Sequence, residues 1–500
     1  MLYKIFILNW FGVIKMKIPR TMSTQHPDNV RQPFFCDGTV MGWEDEIKEA
    51  FYVYSHLKCN EQLWDYEGKE VDNFVVKKLL TRYENFFRKK TLGEDLRLTI
   101  RVPNPNVEKT EGKILVETLM SIARSSDTAS LFYEKDVVPV FEVAVPMCSS
   151  EKDILKVKYF YRNFISGIEN NTLVDEKVKD WVGKVEPKDI QLIPLVETKD
   201  AILDSDKIIR NYLKETKEEQ LRFWIARSDP ALNYSSLGAV LIIKTALDKI
   251  HKTADEMSSE ILPILGCGSA PFRGNFRPDD YEHILRGYPS VHTFTIQSSF
   301  KYDHDEELVR KAIEGVENHK TGKPVPVDEE KIKPILDKVS KTYVSEISLI
   351  ADMIKRMAAH VPSRRMRKLH VGLFGYARSS KGISLPRAIK FCAALYSYGL
   401  PPEILGLAAL NEKDIDTVEE IYPNFRKDIE YSLQYLNKSN LKYFPKEVQS
   451  NVEKVLTLGM DYKENKPHNT VTKIIVKNLE KQMPVEEDIL RAGWIRGFLG

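Results

Sequence analysis

Two acidic residues stand where apolar runs stop: Glu197, after Leu192, Ile193, Pro194, Leu195 and Val196, and Asp229, at the end of QLRFWIARSD. A near-continuous apolar run reads as a strand buried on both faces, as in a parallel sheet, and the carboxyl end of such a strand is where catalytic groups collect. Two carboxylates brought to one point repel each other unless a cation lies between them. Hard oxygen ligands from only one or two side chains, with water and substrate supplying the rest, suit Mg2+ or Mn2+ better than zinc. The alternative is a pair of unrelated, solvated carboxylates.

Anion-binding residue types recur in the same kind of place. GCGSAPFRGN, Gly266 to Asn275, follows a strand directly. Main-chain N–H groups at Gly268 and Ser269 can approach an anion closely there, and Arg273 adds a planar fork of donors for phosphate or carboxylate. The string matches neither GxGxxG nor the P-loop, and a plain glycine-rich turn is the competing account. His26, in TQHPDN, precedes a proline that holds its backbone extended and its ring in a set direction. With a pKa near neutrality, an imidazole there can donate to a developing anion or shuttle a proton; the other account is a structural histidine. Arg101 and Arg378 end their own runs, RLTIR and LHVGLFGYAR, and a buried arginine needs an anionic partner, either substrate or an internal ion pair. Arg364, Arg365, Arg367 and Lys368 form a basic run without interleaved aromatic residues, which reads as a solvated face rather than a nucleic-acid surface.

The elements that must position these residues show as buried-strand patterns, each followed by helical periodicity. The first is Arg20 to His26, short and polar. Arg97 to Pro103, Pro139 to Met147, Ile190 to Thr198, Gln220 to Asp229, Ile261 to Ser269, His292 to Ser299 and Leu369 to Ser379 follow. One helix carries Val75, Val76, Leu79, Leu80, Tyr83, Phe86 and Phe87 at helical spacing, and others cover Ser236 to His251 and Ser345 to His360. Eight strands alternating with helices is the count of an α/β fold, a (β/α)8 barrel of TIM type with helical insertions, the longest expected between the seventh and eighth strands. The expected organisation is the barrel with its insertions over residues 16–400 and a helical region over 401–500 packed on it, ending in the apolar, glycine-bearing AGWIRGFLG. The opening MLYKIFILNWFGVIK has no small-residue cleavage site and is too short to span a bilayer, so translation is expected to start at Met16, with 1–15 a misassigned extension.

Composition narrows the function classes. With 500 residues, 42% of them hydrophobic and 29% charged, and no Gly/Ser-rich or Pro-rich tract, the chain is globular with ample material for a large core. Its 74 basic and 72 acidic residues leave a net charge of +2, so nothing draws the whole molecule to nucleic acid or an anionic membrane. Anions must be bound locally, and the expected substrate is small. Five widely spaced cysteines without a CxxC pair argue against a disulfide framework and a zinc site, and for a reducing, cytoplasmic setting.

Taken together these strings resemble the archaeal-type phosphoenolpyruvate carboxylases. The opening TMSTQHPDN, then PLVET, ARSDPALNYS, GCGSAPFRGN and the terminal GWIRGFLG are similar to that family from Met16 onward, and weaker echoes of the larger bacterial and plant carboxylases come in the same order. The histidine of their TAHPTE is similar to His26, and the arginine of a DIRQ-type strand to Arg101. The metal-binding glutamate of PLFET resembles Glu197, the metal-binding aspartate of YSDS resembles Asp229, and the second arginine of GRGGxxGRGG falls on Arg273. LRAIPWIFAWTQ resembles LRGYPSVHTFTIQ, which brings in Arg286 and Gln297, and a terminal glycine near that family's active site has a counterpart in Gly500. Two positions depart from the pattern. The first arginine of the glycine-rich loop is Cys267 here, and the lysine after YSDS is replaced near Leu232; Arg378 with Lys381 is the expected compensation.

The resemblance implies carboxylation of phosphoenolpyruvate by bicarbonate to oxaloacetate and phosphate, an anaplerotic fixation of carbon dioxide through carboxyphosphate and a metal-stabilised enolate. It implies Mg2+ (or Mn2+) on Glu197 and Asp229, with His26 and Arg273 as catalytic groups. Arg101, Gly268, Ser269, Arg286, Gln297 and Arg378 are expected against the substrate. The implied assembly is a cytoplasmic homotetramer with no nucleic-acid or membrane partner. Another metal-dependent barrel enzyme acting on phosphoenolpyruvate or pyruvate, a phosphotransferase or mutase, is the alternative.

Overall fold

The computed structural model describes residues 17–67, 72–366, 378–380 and 383–500, the side chains of 378–380 and Ile383 excepted. Eight parallel strands close into a barrel: β1 Thr21–Ser23, β2 Glu61–Asp65, β3 Arg97–Arg101, β4 Glu142–Val145, β5 Gln191–Val196, β6 Gln220–Ala226, β7 Glu260–Gly266 and β8 Thr293–Ile296. Consecutive strands pair, and β1 shuts the ring against β8 with Thr21 opposite Phe294 and Ser23 opposite Ile296.

The expected barrel is therefore present, with one strand reassigned. Most of Leu369 to Ser379 lies outside the described residues, and its described end, Arg378–Ser380, pairs antiparallel with Ile383–Leu385 rather than joining the ring. The place is taken by Glu61–Asp65. EQLWD escapes a search for apolar runs because two of its three inward residues are charged: Glu61 and Asp65 are 0% and 3% exposed, and each is satisfied by an arginine. All eight strands consequently precede residue 297, and the longest connection between them runs from Val145 to Gln191 rather than between the last two.

Side chains alternate along a strand, and the inward set forms layers. The floor is ionic, built from Glu61, Arg97, Thr99, Glu142 and Arg222. Above it Met22, Leu63, Ala144, Ile193, Leu195, Trp224 and Ile264 make a small apolar core separate from the main one between strands and helices. One further step of the same parity brings Asp65, Arg101 and Glu197 to the carboxyl-end mouth, which is why these three converge there.

The remainder of the chain is helical. The helix expected from Ser236 runs on to Met257, and that expected at Ser345 to His360 is the latter half of Glu329–Ala359, whose lysine-rich first half and Pro334 mask it in the sequence. Ala388–Tyr398 packs on Glu329–Ala359 and on Lys466–Glu480, which packs on Glu486–Arg496. The last residues tuck into the mouth: the Leu499 N–H donates to the Asp28 carbonyl at 2.8 Å. A Cβ on Gly500 would lie 2.1 Å from the Ile389 carbonyl oxygen, so only glycine fits that approach. Among the described residues no helix is long and apolar enough to cross a membrane.

Candidate active site

A cavity of about 410 Å3 opens at the carboxyl end of the barrel. Strand ends supply most of its wall: His26 and Pro27 after β1, Glu67 after β2, Arg101 on β3, Glu197 after β5, Ser228 and Asp229 after β6, and Arg273 in the loop after β7. Residues 361–365, 386–390 and Leu499 from the helical part cover it. His26, Arg101, Glu197, Asp229 and Arg273 thus share one cavity although each comes from a different strand end.

Local chemistry sets each side chain. His26 Nδ1 lies 2.9 Å from Thr24 Oγ1. Arg101 is gripped by Asp65, which accepts from Nε at 2.8 Å and Nη2 at 2.7 Å, and by Glu67, 2.9 Å from Nη1. Burial works against the charge on Arg101, but Asp65 and Glu67 outweigh it and hold its pKa above the usual arginine value. Glu67 is raised, first by burial and then by Glu197 and Asp65, against the pull of Arg101 and Arg387. Behind it Glu108, which accepts the Asn104 N–H at 3.0 Å, is pushed up to about 8 by burial and by Glu67.

Arg273 is buried and fixed on every side. Nη1 donates to Asp28 Oδ2 at 3.0 Å and to the Gly500 main-chain oxygen at 2.9 Å, Nε donates to Ser228 Oγ at 3.1 Å, and Nη2 donates to Gln297 Oε1. The glycine-rich loop folds round this guanidinium. The Gly268 N–H donates to the Arg273 carbonyl, and that of Gly274 to Pro271. A Cβ on Gly268 would lie 2.9 Å from both Arg273 Nη1 and Gln297 Oε1, so glycine is needed for the arginine to fold across the loop. From behind, Glu403 accepts the Phe272 N–H at 2.6 Å and Asp428 accepts Asn275 Nδ2 at 2.7 Å.

Several expected ligands stand elsewhere. Gly268, packed against Arg273, and Ser269 are buried, and Gln297 accepts from Arg273; among the described residues walling the cavity none of the three appears. Arg286 sits on helix Tyr281–Gly287 with its side chain 51% exposed, 3.2 Å from Glu282 and 3.7 Å from Asp280, away from the cavity wall. Arg387 and Lys390, which sequence reasoning does not single out, do line the cavity. The Arg378 main chain lies in the antiparallel pair, while its side chain and all of Lys381 fall outside the described residues.

The basic run is not a solvated face where it is described. Arg365 is buried against Glu46 at 3.2 Å and Glu49 at 2.8 Å, and Arg364 donates to the carbonyls of Asn29 and Val30. Both line the cavity. Glu67 lies in no motif, and Asp28, though it belongs to TQHPDN, is not singled out there; only their contacts with Arg101 and Arg273 reveal them. The cavity's candidate metal ligands are the oxygens of Glu197 and Asp229; among the described residues no cluster of three or more His, Cys, Asp or Glu side chains is placed to hold a metal ion.

Known proteins resemble this chain over nearly its whole length. The family profile described as phosphoenolpyruvate carboxylase matches residues 18–500. A phosphoenolpyruvate carboxylase of Methanothermobacter thermautotrophicus is 47% identical over 486 residues, covering 97% of this chain and 100% of the relative. Those of Pyrococcus horikoshii and Pyrococcus abyssi are each 46% identical, over 483 and 488 residues, again covering 97% of this chain and 100% of the relative. Identity at this level, spread over the barrel, its mouth and its helical cover, leaves one assignment: the chain belongs to the archaeal-type phosphoenolpyruvate carboxylase family.

Proposed function

We infer that the protein carboxylates phosphoenolpyruvate with bicarbonate to give oxaloacetate and phosphate. The observation that carries this reading is the meeting of His26, Glu197, Asp229 and Arg273 on one cavity, in a chain similar to phosphoenolpyruvate carboxylases over nearly its whole length. A phosphotransferase or mutase is not favoured by a match of that extent.

The reaction brings two anions together. A bicarbonate oxygen bonds to phosphorus as the enol oxygen leaves, yielding carboxyphosphate and the enolate of pyruvate. Carboxyphosphate then breaks into carbon dioxide and phosphate, and C3 of the enolate bonds to the carbon of carbon dioxide. The cations round the cavity offset the repulsion, and Arg273, pinned by its hydrogen bonds, presents charge that needs no reorganisation. With Nδ1 held by Thr24, His26 acts at Nε2, taking the carboxyphosphate hydroxyl proton as carbon dioxide leaves and returning it to phosphate. Pro27, Val361, Ile389 and Leu499 supply apolar wall, which keeps water from protonating the enolate to pyruvate.

Glu197 and Asp229 suit a hard divalent cation, Mg2+ or Mn2+, because two carboxylates leave the other positions to water and substrate. When bound, such an ion supplies positive charge to the phosphate and enolate oxygens. We further propose that the enzyme works as a cytoplasmic homotetramer, for which sedimentation should give about four times the 57.7 kDa chain mass. A coupled oxaloacetate assay with bicarbonate and divalent cation withheld in turn tests the function. Turnover should need both, and undiminished consumption of phosphoenolpyruvate without bicarbonate would overturn the reading.

A further inference from the structure

We propose that Lys390 is a substrate-binding residue whose ammonium group takes an oxyanion of phosphoenolpyruvate. The inference rests on the function proposed above and deepens it, because most of the positive charge around the cavity already has a partner within the protein.

Arg101 is paired with Asp65 and Glu67, Arg273 with Asp28, and Arg365 with Glu46 and Glu49. Arg364 gives Nε and Nη2 to the carbonyls of Asn29 and Val30. Lys390 also lines the cavity, half-buried, in the first turn of helix Ala388–Tyr398, and among the described residues no hydrogen bond or ion pair engages it. Burial is the one influence on its pKa, which it lowers.

A cation drawn partly out of water without a counter-charge is costly to keep, and the cost is offset when an anion arrives. The other buried lysines show the contrast. Lys301 is neutralised by Glu49 at 2.7 Å and Lys158 by Glu218 at 2.7 Å and Asp189 at 3.0 Å, and Lys244 donates to the Gly287 carbonyl with the rings of Tyr288 and Tyr422 at 4.6 and 5.3 Å. An ammonium on a flexible stem can follow a phosphate through its transfer, as the pinned guanidinium of Arg273 cannot. Phosphoenolpyruvate, with a phosphate and a carboxylate, carries more negative charge than bicarbonate and is the substrate assigned to it.

The test compares Lys390→Gln, Lys390→Met and Lys390→Arg with the wild type. Phosphoenolpyruvate binding is measured by calorimetry without bicarbonate, and KM is measured for each substrate, with melting curves to verify folding. Lys390→Gln and Lys390→Met should weaken phosphoenolpyruvate at least about tenfold, as loss of a charge-assisted contact does, and leave the KM for bicarbonate near wild type, with Lys390→Arg recovering most of the affinity. A folded Lys390→Gln or Lys390→Met enzyme with normal phosphoenolpyruvate affinity, or equal weakening of both substrates, overturns the assignment. Wild-type enzyme that binds phosphoenolpyruvate but forms no oxaloacetate would instead sink the proposed function.

Discussion

At the amino end of the barrel Arg222 donates to Glu61 at 2.7 and 2.8 Å and to Glu142 at 2.9 Å, Thr99 donates to Glu61 at 2.6 Å, and Arg97 pairs with Glu142. None of these four charged side chains is more than 6% exposed, and two cations face two anions. At the carboxyl end, similar residue types stand round a cavity of about 410 Å3, Glu67 and Glu108 have raised pKa values, and Lys390 has no partner among the described residues. A buried charge is therefore not in itself the mark of a site. What distinguishes the mouth is a cation left without a counter-charge beside a space large enough for a ligand, whereas at the floor every charge faces an opposite one and serves the fold.

Four measurements can break or sharpen that contrast. The largest effect belongs to Glu197→Gln and Asp229→Asn: turnover should fall on the order of a hundredfold or more, as for a lost metal ligand, with melting close to wild type. Normal turnover in either would remove the mouth's claim to function. At the floor, Arg222→Met strands Glu61 without its counter-charge, leaves Glu142 with Arg97 alone, and should cost about 3–5 kcal/mol in urea unfolding. Its turnover per folded molecule should stay near wild type, and a stable variant would mean that the floor is not a closed network. Next, His26→Asn should shift product from oxaloacetate toward pyruvate while phosphoenolpyruvate is still consumed; a product ratio equal to wild type would exclude the proton role.

The smallest effect concerns pH, where the two ends differ in sign. Burial pushes the Glu142 carboxyl up, but Arg222 and Arg97 pull it further down, so its share of stability is present above the unfolded carboxylate range and is lost on acidification. Glu108, raised to about 8, behaves oppositely. Its share is full below the unfolded value of about 4.3 and is lost as pH climbs toward 8. Between about pH 5 and 8, Glu108→Gln should therefore lose less stability than wild type, and parallel melting curves would contradict the raised pKa.

Much of this protein could be read from its amino acids because local periodicity is written residue by residue. β5 and β6 are buried on both faces and spelled in apolar letters, and the polar residue that ends each run, Glu197 or Asp229, falls at the mouth by geometry alone. β2 could not be read that way. Glu61 and Asp65 look like loop until Arg222, more than a hundred residues away, and Arg101 are folded against them. The same holds for the cations. Arg286 and Lys390 are both cations on helices, yet one lies half-exposed beside Glu282 and the other faces the cavity. Which element forms depends on neighbours along the chain and is therefore contained in the sequence itself. Which charge is neutralised and which is left for a ligand depends on partners that only the closed barrel and its helical cover bring within a few ångströms, so that choice belonged to the tertiary structure.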